Sequence, residues 1–167
     1  MSFHDAVVPA YLQMLNSLTG LITKAEAHCT AKKIDPSVLL GSRLFPDMLP
    51  LSKQIQFVSE LATKGCARLT QSEVPSTPDT EISFAALKQR LAKTIDYVNS
   101  FKPEQFEGAD TRDVTFPVGS DKSITMKGQQ FLSSFSLPNL YFHATTAYDI
   151  LRHNGVEIGK RDFLGTN

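Results

Sequence analysis

The chain has 167 residues, enough for one domain of ordinary size with a real core. Hydrophobic residues make up 41%, which excludes a disordered chain, and 17 basic and 17 acidic residues cancel to a net charge of zero, which excludes a global field for nucleic acid or an anionic membrane. No run approaches the ~18 apolar residues of a membrane span, and the start MSFHDAVVPAYLQML lacks the basic and apolar regions of a signal peptide, so a cytoplasmic location is expected.

Phe3, Val7, Ala10, Met14, Leu18, Leu21, Ala25 and His28 recur at steps of four and three, which predicts a long amphipathic helix ending near Thr30. Pro9 lies about two turns in and predicts a kink there or a helix start near Val8. Asp35, Pro36 and Gly41 then read as a loop. Met48, Leu51, Ile55, Val58, Ala62 and Leu69 predict a second helix, with Pro46 and Pro50 near its front and Asp47 in its first turn, where the helix dipole favours a carboxylate.

Pro75, Pro78 and Asp79 mark a short connection, and Ser83 caps a third helix carrying Phe84, Leu87, Leu91, Ile95, Val98 and Phe101. Lys102-Pro103 ends it. Around Gly119-Ser120-Asp121 the runs Asp113 to Pro117 and Lys122 to Met126 have a period near two, which predicts a small hairpin lying outside the core. A fourth helix is expected from Gln129 to Asn154, with Gly155 as its cap and with Pro138 either kinking it or dividing it in two. Four amphipathic helices bury their stripes best against one another. The expected fold is therefore all-α, a single-domain four-helix bundle over residues 1–167 with a hairpin between helices 3 and 4. Cys29 and Cys66, without metal or redox spacing, read as buried reduced thiols.

The strings Pro138 to Gly155, Gly159 to Gly165 and Arg43 to Leu51 resemble an uncharacterised bacterial and fungal family of DUF type, grouped with the DinB/YfiT-like metalloenzyme superfamily. Relatives in that superfamily include metal-dependent thiol S-transferases and a maleylpyruvate isomerase-like branch. The resemblance implies a site of three histidines, one on the second helix and an H-x-x-x-H pair on the fourth, whose spacing puts both ligands on one helix face. In this chain the pair falls on Asn139 and His143, and the second helix holds no histidine. No cofactor is therefore expected. The remaining metal alternative is a weakly bound divalent cation on the oxygen-richer set Asp47, Asn139 and His143.

His143 reads either as a core histidine bonded to a neighbour or as a general acid or base, its ordinary pKa near 6.5 suiting proton transfer. Asp47 would orient it. Gln54, Asn139 and Thr146 are expected to line a polar cavity with them; the alternative is that Asn139, Thr145 and Thr146 satisfy one another. In the tail, Lys160 and Arg161 suggest recognition of an anionic ligand by a lid anchored on Phe163 and Leu164, or else a solvated turn. Tyr141, Phe142 and Tyr148 read as core or dimer-face residues, and His4, His28 and His153 as surface or capping residues. The expected partner is a small organic molecule, handled by proton transfer or S-transfer. The alternative is a non-enzymatic homodimer burying an apolar helix face.

Overall fold

The computed structural model describes residues 2–166. Helix α1 (Phe3–Lys32) starts on a capping box, in which the Ser2 hydroxyl accepts from the Asp5 N–H and the Asp5 carboxylate accepts from the Ser2 N–H. It starts at Phe3 rather than Val8 and continues through Pro9. The segment expected as a loop contains a short helix, α2 (Pro36–Leu40), because the Asp35 side chain accepts from the Ser37 N–H at 2.9 Å and Pro36 is preset for a first turn.

Helix α3 (Leu51–Thr70) starts later than the apolar run suggests. Leu49 precedes Pro50 and Phe45 precedes Pro46, and a residue before proline is pushed out of the helical region. Asp47 therefore lies in an exposed turn ahead of the helix, not in its first turn. Helix α4 (Phe84–Asn99) has the expected cap, the Ser83 hydroxyl accepting from the Ala86 N–H at 3.1 Å. A 3-10 turn over Pro103–Phe106 leads to strands β1 (Asp113–Val118) and β2 (Lys122–Lys127), paired antiparallel from Asp113↔Lys127 to Val118↔Lys122.

The fourth helical run is built in pieces: α5 (Gly128–Phe131), a π turn over Leu132–Ser136, and α6 (Leu137–His153). Pro138 has no N–H to donate one turn back, and the widened turn immediately upstream accommodates that loss. The Ser136 hydroxyl in this turn lies 2.6 Å from that of fully buried Tyr11, and Gly65 is bare because a Cβ there would collide with the Tyr11 ring. Gly155 adopts a left-handed φ of 86° after Arg152 and His153.

The protein is thus mostly helical with one two-stranded hairpin. The long helices pack as α3 on α4 and α6, and α1 on α3, α4 and α6, and their buried side chains form one connected cluster. Two expectations change. Short helices join the four long ones, and the hairpin contributes to the core. Val114 and Phe116 are buried, with the Phe116 ring 5.1 Å from Phe131, 4.4 Å from Phe135 and under the Arg68 guanidinium at 5.1 Å. Only alternate strand residues point inward, so the period of two that suggested an exposed hairpin is the signature of a half-buried one.

Both cysteines are buried free thiols, and burial pushes Cys66 up to about 12. Among the described residues no helix is long and apolar enough to cross a membrane.

Candidate functional site

Gln54 sits in the first turns of α3, almost fully buried, on the face that packs against α6. Its backbone N–H continues the helix ladder to the Pro50 carbonyl, while its side-chain Nε2 donates to the Leu49 carbonyl at 3.0 Å. A carbonyl can only accept, so the amide is oriented with its nitrogen toward Leu49 and its oxygen toward α6. There Gln54 Oε1 lies 2.7 Å from His143 Nδ1. An amide oxygen also only accepts. Nδ1 therefore carries the proton and donates it, and in the neutral imidazole Nε2 is left with its lone pair.

Two rings fix the imidazole plane. Phe57, one turn beyond Gln54, stacks on it at 4.8 Å and 22°, and Phe142 meets it edge to face at 5.2 Å and 87°. His143 is half-buried, and that burial lowers its pKa below the ordinary value of 6.5. At neutral pH it is uncharged, and Nε2 is equipped to accept a proton or a hydrogen bond. No described residue hydrogen-bonds to Nε2.

The other expected site residues go elsewhere. Asn139 Nδ2 donates to the Phe135 carbonyl at 2.6 Å and Thr146 Oγ1 to the Phe142 carbonyl at 2.7 Å, so each satisfies its own helix rather than a neighbour or a cavity. Thr145 is exposed. Asp47 is exposed in its turn, and no hydrogen bond or ion pair links it to His143. Lys160 and Arg161 are exposed on α7 (Lys160–Leu164), which is strapped to α1: Ser17 donates to the Phe163 carbonyl at 2.6 Å, Lys24 pairs with Asp162, and Phe163 packs against Tyr148. Tyr141 and Phe142 are exposed, which removes them from the core.

The structure thus unites Gln54 with His143, and adds Leu49, Phe57 and Phe142, which the sequence patterns above do not connect with the site. Spacing could have indicated Phe57, since positions three apart on a helix are neighbours. Nothing local indicated Leu49, whose contribution is a backbone carbonyl.

These residues do not fit a transition metal. His143 is the sole imidazole, both ends of the Gln54 amide are engaged within the protein, and no cluster of three or more His, Cys, Asp or Glu side chains occurs among the described residues. Asn139 is turned onto the Phe135 carbonyl of its own helix, and no hydrogen bond or ion pair joins Asp47 to either Asn139 or His143.

Over residues 3–164 the sequence matches the family described as a domain of unknown function, DUF1993. The chain belongs to that family. It is also similar to the crystal structure of a DinB family member protein from Shewanella denitrificans, at 41% identity and a TM-score of 0.90, over 97% of this chain and 91% of that one. None of the curated proteins matches it. This DUF1993 protein is accordingly a DinB-like protein from a family of unknown function.

Proposed function

We propose that this DinB-like protein is a four-helix bundle that binds a small organic molecule where α3 meets α6, with His143 Nε2 as the group that accepts the ligand's proton or hydrogen bond. The observation that carries this reading is the chain Leu49 carbonyl, Gln54 amide, His143 imidazole, which sets one tautomer and one ring orientation. A histidine serving only as packing needs no such fixation. Fixing one ring nitrogen through a partner so that the other is presented is the usual way proteins prepare a base.

The chemistry that follows is proton transfer. Nε2 takes a proton from an acidic O–H, N–H or S–H of the ligand, and the imidazolium keeps its Nδ1–H on Gln54 Oε1. A neutral amide stabilises that cation less than a carboxylate does, and burial opposes it, so the proton returns readily to the product. Removal of a thiol proton in this way would precede S-transfer. The exposed rings of Phe57 and Phe142 give the ligand's apolar part a surface. No transition metal enters the step.

The test is a small-molecule screen followed by NMR of imidazole-labelled protein. A specific ligand should shift the His143 Nε2 resonance and lose its affinity in His143→Gln, with the fold intact. Ligands that bind that variant as well as the native chain would sink the proposal. The exposed rings of Phe57, Tyr141 and Phe142 (57% exposed) also support a second reading, a homodimer through this face, which sedimentation of Phe142→Asp against the native chain would test.

A further inference from the structure

Residues 71–83 link α3 to α4 without regular structure and carry three acidic residues, Glu73, Asp79 and Glu81, and no basic one. This strap is tied down by a buried arginine. The Arg90 side chain is 2% exposed, and its Nη1 donates to the Pro78 carbonyl at 3.3 Å and lies 3.0 Å from Asp79 and 3.1 Å from Glu81. Gln56 Nε2 donates to Glu81 at 2.8 Å, Lys53 pairs with Asp79 at 3.0 Å, and the Tyr97 hydroxyl donates to the Glu73 carbonyl.

Under the strap runs a cleft with lobes of about 390 and 280 Å³, both lined by Thr63, Pro75, Thr77 and Arg90; Lys93 borders the first and Lys64 the second. Neither His143 nor Gln54 takes part in it.

Two observations distinguish the strap from an ordinary connection. The first is charge. Around the strap, α3 and α4 present Lys53, Lys64, Arg90 and Lys93 against the carboxylate of Glu60, so the segment is an acidic chain laid on a basic face. The second is imperfect closure. Arg90 Nη2 and Gln56 Oε1 are buried without a hydrogen bond among the described residues, and both belong to side chains that grip Glu81; Nη2 has only the Glu60 carboxylate at 3.9 Å. Buried polar atoms left unbonded oppose the closed arrangement, so the strap is held by ion pairs and loosened by its own fit.

We propose that the α3–α4 cleft is a binding site for a small dicarboxylate, and that the strap is its built-in competitor, Asp79 and Glu81 occupying Arg90 until the ligand's carboxylates displace them. The ligand class follows from the occupant, two carboxylates two residues apart that meet on one guanidinium. Once Asp79 and Glu81 leave Arg90, the planar guanidinium can grip a carboxylate with two parallel bonds, and Lys93 at the border of the cleft is there to meet the second. While the strap is down, the apparent affinity is reduced by the fraction of molecules that are open.

Succinate is the probe, and hydrogen exchange of residues 71–83 together with calorimetry are the readouts. Succinate should speed exchange in the strap, and sodium chloride of equal ionic strength should not. Asp79→Asn, which keeps Glu81 on Arg90 and so keeps the guanidinium paired, should bind succinate about tenfold more tightly. Lys93→Ala, at an exposed position, should weaken binding without moving the thermal transition. If succinate leaves strap exchange unchanged, if sodium chloride matches it, or if Asp79→Asn binds no more tightly, the strap is a structural tie only and the proposal fails.

Discussion

Gln54 Oε1 lies 2.7 Å from His143 Nδ1, while the other end of the same amide is held 3.0 Å from the Leu49 carbonyl. The tautomer of one residue is thereby set by the rotamer of another. Nitrogen chemical shifts should show His143 protonated on Nδ1 and bare on Nε2. Gln54→Glu places a carboxylate on the imidazole and should raise the His143 pKa by about one unit or more. Asp47→Asn should leave it unchanged, and a shift of comparable size in that variant would return Asp47 to the site.

Stability should depend on pH through the same ring. Burial holds the folded pKa of His143 below the 6.5 of the unfolded chain, so the unfolded state binds the proton more readily. The contribution is complete above about pH 6.5 and is lost as pH falls through the folded value, with a slope from one proton of at most about 1.4 kcal/mol per pH unit. Urea unfolding at pH 7 and pH 5 should show this loss in the native chain and a smaller one in His143→Gln. Equal losses would place the titration on another group.

Purified protein without an affinity tag should hold well under one equivalent of zinc or nickel, since one imidazole and two bonded amides make a poor donor set. A chelator should leave the thermal transition in place. A full equivalent by elemental analysis, lost on His143→Ala, would reverse this conclusion.

The hairpin should respond unequally to change at its two ends. Phe116→Ala removes a buried ring that contacts Phe131, Phe135 and Arg68 and should cost about 3–5 kcal/mol. Lengthening the turn at Gly119-Ser120 with a glycine-serine insert should change stability by less than about 1 kcal/mol, because loop closure entropy rises slowly with length. Denaturant midpoints of the two variants decide it, and comparable losses would mean that the tip also packs.

Two glycines should give opposite results in that assay. A Cβ at Gly128 would drive into the Ala109 carbonyl, which is backbone and has little freedom to move, so Gly128→Ala should lose about 2 kcal/mol or more. At Gly20, inside α1 and with open space around it, alanine should gain up to about 1 kcal/mol.

The long helices and their buried faces are legible in the sequence, because the 3.6-residue period, the Ser83 cap and the Gly155 stop are local and additive along the chain. One matched string also singles out His143. Boundaries were less legible where two local signals competed. The apolar run reached Met48, but the proline at position 50 overruled it, and with that Asp47 left the helix.

Which polar atoms meet, by contrast, is set by packing. Gln54 and His143 are 89 positions apart and come together because α3 packs on α6; no local pattern encodes a partner at that range. Asn139 and Thr146 are expected from the sequence to line a cavity or to satisfy one another, yet each bonds a carbonyl one turn back, an option every short polar side chain on a helix has and the sequence cannot rank. The strap on Arg90 follows the same rule. Its acids and the arginine were all legible as charges, but burial is what turned them into a latch, since an ion pair acquires its strength and its geometry from the surroundings that packing supplies.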